Sequence, residues 1–176
     1  MERIVLDACT LYPTFLRHIL EGCARGGLFT PLWSERILEE WRRTAERVGS
    51  PAGAEIALLR SRFPDAVVRP DPILEADIAL PDLNDAHVLA SAITGGADAL
   101  LTFNIRDFPT RTLARYGIVR AHPDTFLLSL HAEAPTLLTA AVHEAKARLE
   151  AAYGRPTETR TILKKAGLPR LGKAFG

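Results

Sequence analysis

Short apolar strands that alternate with helical segments are the feature that most constrains the fold of this chain. Residues 3–6, 66–68, 99–103 and 118–119 are largely aliphatic runs of strand length, and segments of helical pattern lie between them. Strands separated by helices are typical of a parallel sheet, in which helical crossovers carry the chain back to the next strand. An α/β fold with a central parallel sheet is therefore predicted.

Helices are predicted where proline or a capping residue starts a periodic segment and glycine ends it. In the first part of the chain they are expected over residues 13–26, 34–48, 52–62, 84–95 and 110–115, with a loop or turn at Pro70 and Pro72. After residue 122 only helices are predicted, starting at Pro123, Pro135 and Pro156. We therefore expect a domain over residues 1–125 and a helical extension over residues 126–176.

Composition and patterning exclude several classes of protein. The two cysteines, Cys9 and Cys23, have no metal-type spacing and form no disulfide framework, so a reducing, cytoplasmic location is expected. No apolar run has the length of a transmembrane helix, and the apolar run before Asp7 is too short for a signal peptide. No association with a membrane is expected.

Positive charge is concentrated in the last part of the chain. Residues 155–176 contain six Lys or Arg and one acidic residue, whereas the rest contains sixteen and twenty. Such a segment either binds an anionic partner or is the solvated end of a helical region. Lys164, Lys165 and Arg170 are the candidates in this segment for contact with a nucleic-acid backbone.

Acidic and amide side chains follow two of the predicted strands. Asp7 comes directly after the strand at residues 3–6, and Asn104 and Asp107 follow the strand that ends at Phe103. In an open parallel sheet, ligands bind outside the carboxyl ends of the strands. Asp7 is therefore either a ligand at this edge or a cap for the helix that follows it.

The helix that contains Glu39 and Glu40 has one apolar side. At roughly 100° per residue, that side is formed by Ile37, Trp41, Ala45 and Val48. Glu40 borders this apolar stripe, whereas Glu39 lies nearly opposite to it and is expected to face water. Glu40 is therefore the better candidate for a site shared with the sheet.

Asp85 lies on the apolar face of its predicted helix, one turn before Val88, Leu89 and Ala92. A buried carboxylate is costly unless a cation or a helix N-terminus compensates its charge. Asp85 is thus either a metal ligand or an N-cap. Asp82 and Asn84 compete for the capping role, which leaves Asp85 available as a ligand.

Carboxylates that share one site repel one another unless a cation lies between them. Oxygen ligands favour Mg²⁺ or Mn²⁺, ions that clamp phosphate oxygens and activate water. No other nucleophile is predicted, because Cys9 has no obvious paired histidine and no glycine-rich phosphate loop follows a strand. The five histidines show no ligand spacing and are expected at the surface or at helix ends.

These motifs, in this order, resemble those of the PIN-domain nucleases and, within that family, of the VapC-type toxins. The resemblance covers roughly residues 3–122 and rests on Ile4-Val5-Leu6-Asp7, Ile37-Leu38-Glu39-Glu40-Trp41, residues 82–90, residues 96–104 and Asp107-Phe108-Pro109. It implies a PIN-like α/β/α sandwich with an acidic Mg²⁺ or Mn²⁺ site that cleaves RNA. The segments at residues 123–127 and 167–169 also resemble the helical extension of one VapC subgroup.

By position, the resemblance implies that Asp7, Glu40 and Asp85 are the first three acids of the metal site. Asn104 stands where a fourth acid usually follows the strand, and Asp107 is the candidate to supply the missing charge. The polar residue that often follows the first acid is replaced by Cys9, with Thr10 beside it.

The resemblance also implies partners. VapC-type proteins usually pair with a small antitoxin and often form homodimers, so a cognate antitoxin and a homodimer are expected. RNA is the expected substrate and water the nucleophile. Thr10, Arg36 and Arg43, with the basic residues of the last segment, are candidates for holding the RNA backbone.

Two other functions are considered. Asn104 is compatible with a non-catalytic RNA- or protein-binding module on a degenerate PIN scaffold. An aspartyl-phosphate enzyme is disfavoured, because Cys9 occupies the position where those phosphatases have a second acid. A phosphoacceptor domain is disfavoured too, since it needs an acidic pair near the first strand and a lysine after a later one.

Overall fold

The computed structural model describes residues 1–176. Contacts between residues divide the chain into two compact units. The sheet unit comprises Met1–Tyr12 and Phe29–Ala121, and the helical unit comprises Pro13–Leu28 and His122–Gly176. The domain boundary expected near residue 125 stays a prediction, because units defined by contacts are not thereby independent folding domains. None of the helices has the length and apolar character needed to span a bilayer.

The sheet unit contains five parallel strands in the order β3-β2-β1-β4-β5. Their bounds are β1 Arg3–Leu6, β2 Thr30–Ser34, β3 Val67–Val68, β4 Ala99–Leu101 and β5 Val119–Ala121. In the central pairing, Val5 lies opposite Leu32 of β2 and Leu100 of β4. The predicted parallel α/β fold is confirmed.

Strand β2 was not predicted, because Pro31 interrupts its apolar pattern. A proline has no backbone N–H, so it cannot donate a hydrogen bond to a neighbouring strand. However, β3 pairs only with Trp33 and Ser34, so no strand lies beside Pro31 on the side that its nitrogen faces. The missing N–H therefore costs the sheet no hydrogen bond.

Helices occupy most of the remaining chain. Their bounds are α1 Ala8–Leu11, α2 Thr14–Arg25, α3 Glu35–Arg47, α4 Gly53–Arg62, α5 Pro72–Asp77, α6 Ala86–Thr94, α7 Thr110–Ala114, α8 Pro123–Glu133, α9 Pro135–Tyr153, α10 Thr159–Lys165 and α11 Pro169–Ala174. A single 3₁₀ turn, Leu83–Asp85, precedes α6.

Four helices differ from the prediction. The loop predicted at Pro70 and Pro72 is wrong at Pro72, which starts α5 with Asp71 as its cap (Ile73 N–H to Oδ1, 2.9 Å). Helix α1 precedes the helix that was predicted from Pro13. In the last segment, the helix predicted from Pro156 begins only at Thr159, and α11 follows it as a fourth helix.

The core of the sheet unit is formed by the strands and by the apolar side of α3. Ile37, Trp41 and Ala45 are buried as predicted, whereas Val48 is 61% exposed because it follows the last helical residue. The Ser34 hydroxyl caps α3 by accepting the Ile37 N–H at 3.3 Å. This cap directs α3 away from the carboxyl end of β2.

The helical unit is organised by a close contact between α2 and α9. A Cβ at Gly22 would lie 2.8 Å from the Cβ of Ala141, so only glycine permits this separation. Arg25 and Glu144 form an ion pair between the same two helices (3.0 Å). The buried carboxylate of Asp124, in α8, accepts the backbone N–H groups of Arg170 and Leu171 at the start of α11.

Candidate active site

The candidate site lies at the carboxyl edge of the sheet, where β1 and β4 end side by side. The strand order places the reversal of topology between these two strands, which is where a crevice opens in sheets of this kind. The Asp7 backbone N–H donates to the carbonyl oxygen of Leu101 at 3.1 Å. Asn104 follows shortly after β4, so the two strand ends deliver Asp7 and Asn104 to one place.

Asp7 is 7% exposed, and two side chains donate hydrogen bonds to its Oδ2. The Thr102 hydroxyl donates to Oδ2 at 2.7 Å, and the Cys9 thiol donates to the same oxygen at 3.2 Å. Burial raises the pKa of Asp7, and these hydrogen bonds only partly oppose that effect. The side chain at the N-cap position of α1 makes no capping hydrogen bond, so Asp7 does not act as a helix cap.

Thr102 is a site residue that the sequence reasoning missed. Its fully buried hydroxyl donates to Asp7 and accepts the Asn104 N–H at 2.9 Å. One hydroxyl therefore orients the carboxylate after β1 and the backbone that carries Asn104. The signal available in the sequence was a single polar residue at the end of an otherwise apolar strand.

Cys9 acts as a hydrogen-bonding group at this edge. Its sulfur accepts the Phe103 N–H at 3.3 Å and lies 3.4 Å from the Thr102 hydroxyl. Burial, followed by the charge of Asp7, raises the pKa of Cys9 to about 12. The thiol is therefore neutral at physiological pH, which suits a donor to Asp7 and disfavours a nucleophile.

Helix α3 places Glu40, and not Glu39, in the same cavity as Asp7. Glu39 is partly exposed and binds two arginines of its own helix, Arg42 (2.6 Å) and Arg43 (2.8 Å). The hydrogen bonds from Arg42 and then Arg43 lower the pKa of Glu39 to about 2. Glu39 is thus held by cations at the helix surface, while Glu40 faces the acidic residues.

His87 lies beneath Glu40 and is fully buried. It does occur in the first turn of α6, but it is not a surface residue, so the expectation for this histidine was only partly right. Its Nε2 lies 2.7 Å from Oε1 of Glu40, yet neither ring nitrogen has an aligned hydrogen-bond partner. The short distance shows that Glu40 and His87 are in direct contact, although their orientation is not that of a linear hydrogen bond.

Asp85 does not act as a helix cap. It occupies the position before α6 without a side-chain hydrogen bond to that helix, whereas Asp82 caps the 3₁₀ turn through the Asn84 N–H (2.9 Å). Burial raises the pKa of Asp85 to about 6, and the charges of Asp7, Asp82, Asp107 and Glu40 add to that shift. Asp85 therefore experiences the repulsion that a shared acidic site produces.

Asn104 and Asp107 have different positions relative to the acids. Asn104 lines the cavity, and its amide nitrogen lies 3.4 Å from Oδ2 of Asp85. Asp107 is close enough for its charge to raise the pKa of Asp85, but it does not line the cavity. Asn104 therefore occupies the position on the cavity wall where a fourth acid was expected. Asp107 affects Asp85 through its charge from outside the cavity.

The cavity at the carboxyl edge has a volume of about 950 Å³. It is lined by Asp7, Ala8, Cys9, Tyr12, Glu40, Arg43, Thr44, Glu46, Arg47, Asp85 and Asn104. Four of the five predicted catalytic residues, Asp7, Glu40, Asp85 and Asn104, thus share one space. They come from the ends of β1 and β4, from α3 and from the turn before α6.

The donor set is suited to a hard divalent cation. Carboxylate and amide oxygens are the ligands that Mg²⁺ and Mn²⁺ prefer, and burial, followed by the charges of the neighbouring acids, raises the pKa of Asp85. No group of three His, Cys, Asp or Glu side chains is close enough to form a ready-made metal-binding cluster. The fit therefore rests on the chemistry of the ligands and on their common cavity.

The candidate RNA-binding residues are placed unequally. Arg43 lines the cavity, whereas Arg36 forms an ion pair with Glu75 (2.8 Å) and lies 4.0 Å from Glu40. Thr10 is fully buried, and its hydroxyl donates to the Asp7 carbonyl oxygen (2.8 Å). The predicted contact between Thr10 and RNA therefore does not fit the structure.

The basic residues of the last segment belong to the helical unit. Lys164 and Lys165 are exposed in the last turn of α10, and Arg170 is exposed in α11. Their role as RNA contacts stays a prediction.

Comparisons with known proteins identify the family. The family model described as the PIN domain matches residues 3–106, which is more than half of the chain. Over 44 residues, a quarter of the chain, the sequence is 46% identical to a protein of Mycobacterium tuberculosis (strain ATCC 25618 / H37Rv) named "Putative ribonuclease VapC50". That match spans 26% of the length of this relative. No solved structure matches the chain.

Proposed function

Because the chain belongs to the PIN-domain family, we propose that it is a metal-dependent endoribonuclease and the toxin of a VapBC-type toxin–antitoxin pair. The observation that carries the proposal is the common cavity of Asp7, Glu40 and Asp85, in which burial and mutual repulsion raise the pKa of Asp85 to about 6. Such an excess of negative charge favours a bound divalent cation. The local similarity to a protein named as a ribonuclease supports RNA as the substrate.

In this proposal Asp7, Glu40 and Asp85 hold Mg²⁺ or Mn²⁺, with Asn104 and Asp107 completing the site. A divalent cation bound there activates water and stabilises the charge that develops on the phosphate oxygens. Thr102 and Cys9 hold the Asp7 carboxylate in one orientation through Oδ2. Their role is to reduce the motion of a group that has to meet the substrate in a defined position.

The proposal extends to partners that the family resemblance implies. A cognate antitoxin would inhibit the protein by covering the cavity at the carboxyl edge. We also propose a homodimer and a cytoplasmic location. Arg43 on the cavity wall and Arg36, Lys164, Lys165 and Arg170 elsewhere are the proposed contacts with the RNA backbone, since phosphate contacts supply most of the non-specific affinity.

A binding module without catalysis is the second candidate, and Asn104 is the observation that favours it. Its amide nitrogen lies 3.4 Å from Asp85, so a neutral donor partly compensates a carboxylate that a cation would otherwise neutralise. A protein of this kind would bind RNA or a protein partner in the cavity without hydrolysing a phosphodiester bond.

Cleavage of a single-stranded RNA by the purified protein with Mn²⁺ tests the proposal. We expect Asp7→Asn to lower kcat/KM on the order of a hundredfold or more, because it removes a charge from the reacting centre. Glu40→Gln and Glu39→Gln form a matched pair on one helix, and only Glu40→Gln should lower the rate strongly. Equal cleavage by Asp7→Asn and the parent protein would contradict the proposal, whereas RNA binding without cleavage by the parent would support the binding module.

A further inference from the structure

Arg36 is a cation that lies between carboxylates of two different helices. Its Nη1 donates to Oε1 of Glu75, in α5, at 2.8 Å, whereas its Nε lies 4.0 Å from Oε1 of Glu40, in its own helix α3. The shorter distance is that of a charge-assisted hydrogen bond, and the longer one exceeds hydrogen-bonding range. Glu75 therefore holds the guanidinium, although Glu40 is close enough to compete for it.

Helix α3 does not itself favour an arginine at this position. Arg36 is the second residue of the helix, and the positive end of the helix dipole disfavours a cation in the first turn. An acid placed four residues before a cation makes a better pair than the reverse order, and here Arg36 precedes Glu40. The partner that accounts for the position of the guanidinium is therefore Glu75, which belongs to another helix.

The segment that carries Glu75 is rich in acids. Residues 70–105 contain six Asp or Glu and neither Lys nor Arg, so any lysine or arginine that pairs with these acids has to come from another part of the chain. Helix α5 buries none of its own residues. The ion pair with Arg36 thus links α5 to α3 and at the same time determines where the positive charge of Arg36 lies.

Release of Arg36 would place its charge on a group of the acidic cavity. Glu40 lines that cavity, whereas Arg36 and Glu75 do not. A guanidinium bound to Glu40 would compensate the carboxylate and repel a divalent cation beside it. At a separation of roughly 6–7 Å, charges of +1 and +2 in aqueous surroundings repel each other enough to weaken binding roughly threefold to tenfold, depending on salt.

We propose that Glu75 is a positioning residue, which holds Arg36 away from Glu40 and so keeps the Glu40 carboxylate available to a divalent cation. This inference rests on the proposed metal-dependent function of the cavity. Glu75 does not contact the cation and acts only through Arg36. Removing Arg36 as well should therefore cancel the effect of removing Glu75, which a purely structural role of Glu75 would not produce.

The test measures the dissociation constant of Mn²⁺ by isothermal titration calorimetry at low salt. Glu75→Gln should raise this constant roughly fivefold, because the released Arg36 pairs with Glu40. The double variant Arg36→Gln/Glu75→Gln should bring it back to within about twofold of the parent value. Circular dichroism shows that each variant is folded.

Glu35→Gln is the matched control. Glu35 lies in the first turn of α3 and forms an ion pair with Arg60 of α4, and neither residue lines the cavity. The variant removes the same charge and also breaks a pair between two helices, yet it should change the dissociation constant less than twofold, roughly. An unchanged constant in Glu75→Gln, an equal loss in Glu35→Gln, or a double variant as weak as Glu75→Gln would each overturn the inference.

Failure of the proposed function would be visible separately, as an absence of Mn²⁺ binding and of RNA cleavage by the parent protein. Crystal structures of the metal-free parent and of metal-free Glu75→Gln then test the inference without a cation. Arg36 within about 3.2 Å of Glu40 in the variant alone would support the positioning role. A guanidinium that does not move to Glu40 in the variant would reject it.

Discussion

Asp7 in the sheet unit and Asp124 in the helical unit are both buried carboxylates, with exposed fractions of 7% and 4%. Their surroundings differ. Asp124 accepts hydrogen bonds from the backbone N–H groups of Arg170 and Leu171 at the N-terminus of α11. Asp7 accepts hydrogen bonds from a hydroxyl and a thiol, and burial, with a smaller contribution from the charge of Glu40, raises its pKa.

In our proposal the difference separates a structural carboxylate from a metal ligand. The positive end of a helix compensates the charge of Asp124, so that carboxylate contributes to folding without any ligand. Asp7 directly precedes the short helix α1, and the Ala8 backbone lowers its pKa through a hydrogen bond, but burial outweighs this effect and the pKa of Asp7 is raised. Uncompensated charge costs stability, and proteins retain such a cost mainly at functional sites.

The largest expected effect on stability contrasts these two aspartates directly. Asp124→Ala should lower the free energy of unfolding by about 2–3 kcal/mol, because it leaves buried N–H groups without an acceptor. Asp7→Asn should leave the metal-free protein equally or more stable, because it removes a buried charge and keeps an oxygen acceptor. Urea denaturation followed by circular dichroism measures both. If Asp7→Asn lowered the free energy of unfolding as much as Asp124→Ala does, the proposed difference between the two aspartates would be contradicted.

A smaller effect concerns His87, the buried residue in contact with Glu40 at 2.7 Å. If His87 positions Glu40 for a cation, His87→Leu should weaken Mn²⁺ binding about tenfold, as loss of an outer-shell partner does. His87→Gln keeps an N–H donor and should retain more of the affinity. Isothermal titration calorimetry measures the dissociation constants, with circular dichroism to show that both variants fold. Unchanged affinity in His87→Leu would assign the histidine to packing alone.

The smallest expected effect is the pH dependence that Asp85 imposes on the metal-free protein. Its pKa is about 6 instead of 3.8, so the folded state binds a proton that the unfolded state has lost between these values. Stability should therefore decrease as pH rises from about 4 to 6. The full shift corresponds to about 3 kcal/mol, but solvent screening at this partly exposed group reduces the expected loss to about 1 kcal/mol.

Asp85→Asn should remove this pH dependence, and Asp77→Asn, at an exposed position in the last turn of α5, should retain it. At neutral pH without metal, Asp85→Asn should be more stable than the parent protein. Saturating Mn²⁺ should make the parent the more stable of the two, because a ligand that binds only the folded state stabilises it. Thermal unfolding across this pH range, with and without Mn²⁺, measures both effects. A parent protein without pH dependence in this window would show that the carboxylates do not interact strongly.

The sequence was sufficient where a residue's environment depends on local periodicity. The first strand and Asp7 at its end, the Ser34 cap and the placement of Glu40 beside the apolar side of α3 all follow from patterns within one element. The parallel sheet followed from the alternation of strands and helices. These features depend on neighbours close in the sequence, so no knowledge of tertiary contacts was needed.

Features that depend on partners distant in the sequence were missed. Strand β2 tolerates Pro31 only because β3 is too short to pair beside it. The roles of Thr102 and His87 arise from contacts with Asp7 and Glu40, which lie in other elements. The burial of Thr10 likewise reflects packing in the folded protein, which residue type alone did not indicate.

The hydrogen bond from Thr102 to Asp7 joins residues 95 positions apart, and this has a consequence for biosynthesis. The site cannot assemble until β4 has paired with β1, and contacts of such long range form late because a large loop has to close first. On the ribosome the nascent chain therefore lacks a complete site until Thr102 and Asn104 have been translated and have left the exit tunnel. A partner that covers the cavity, if present at that moment, would meet the chain before the site is complete.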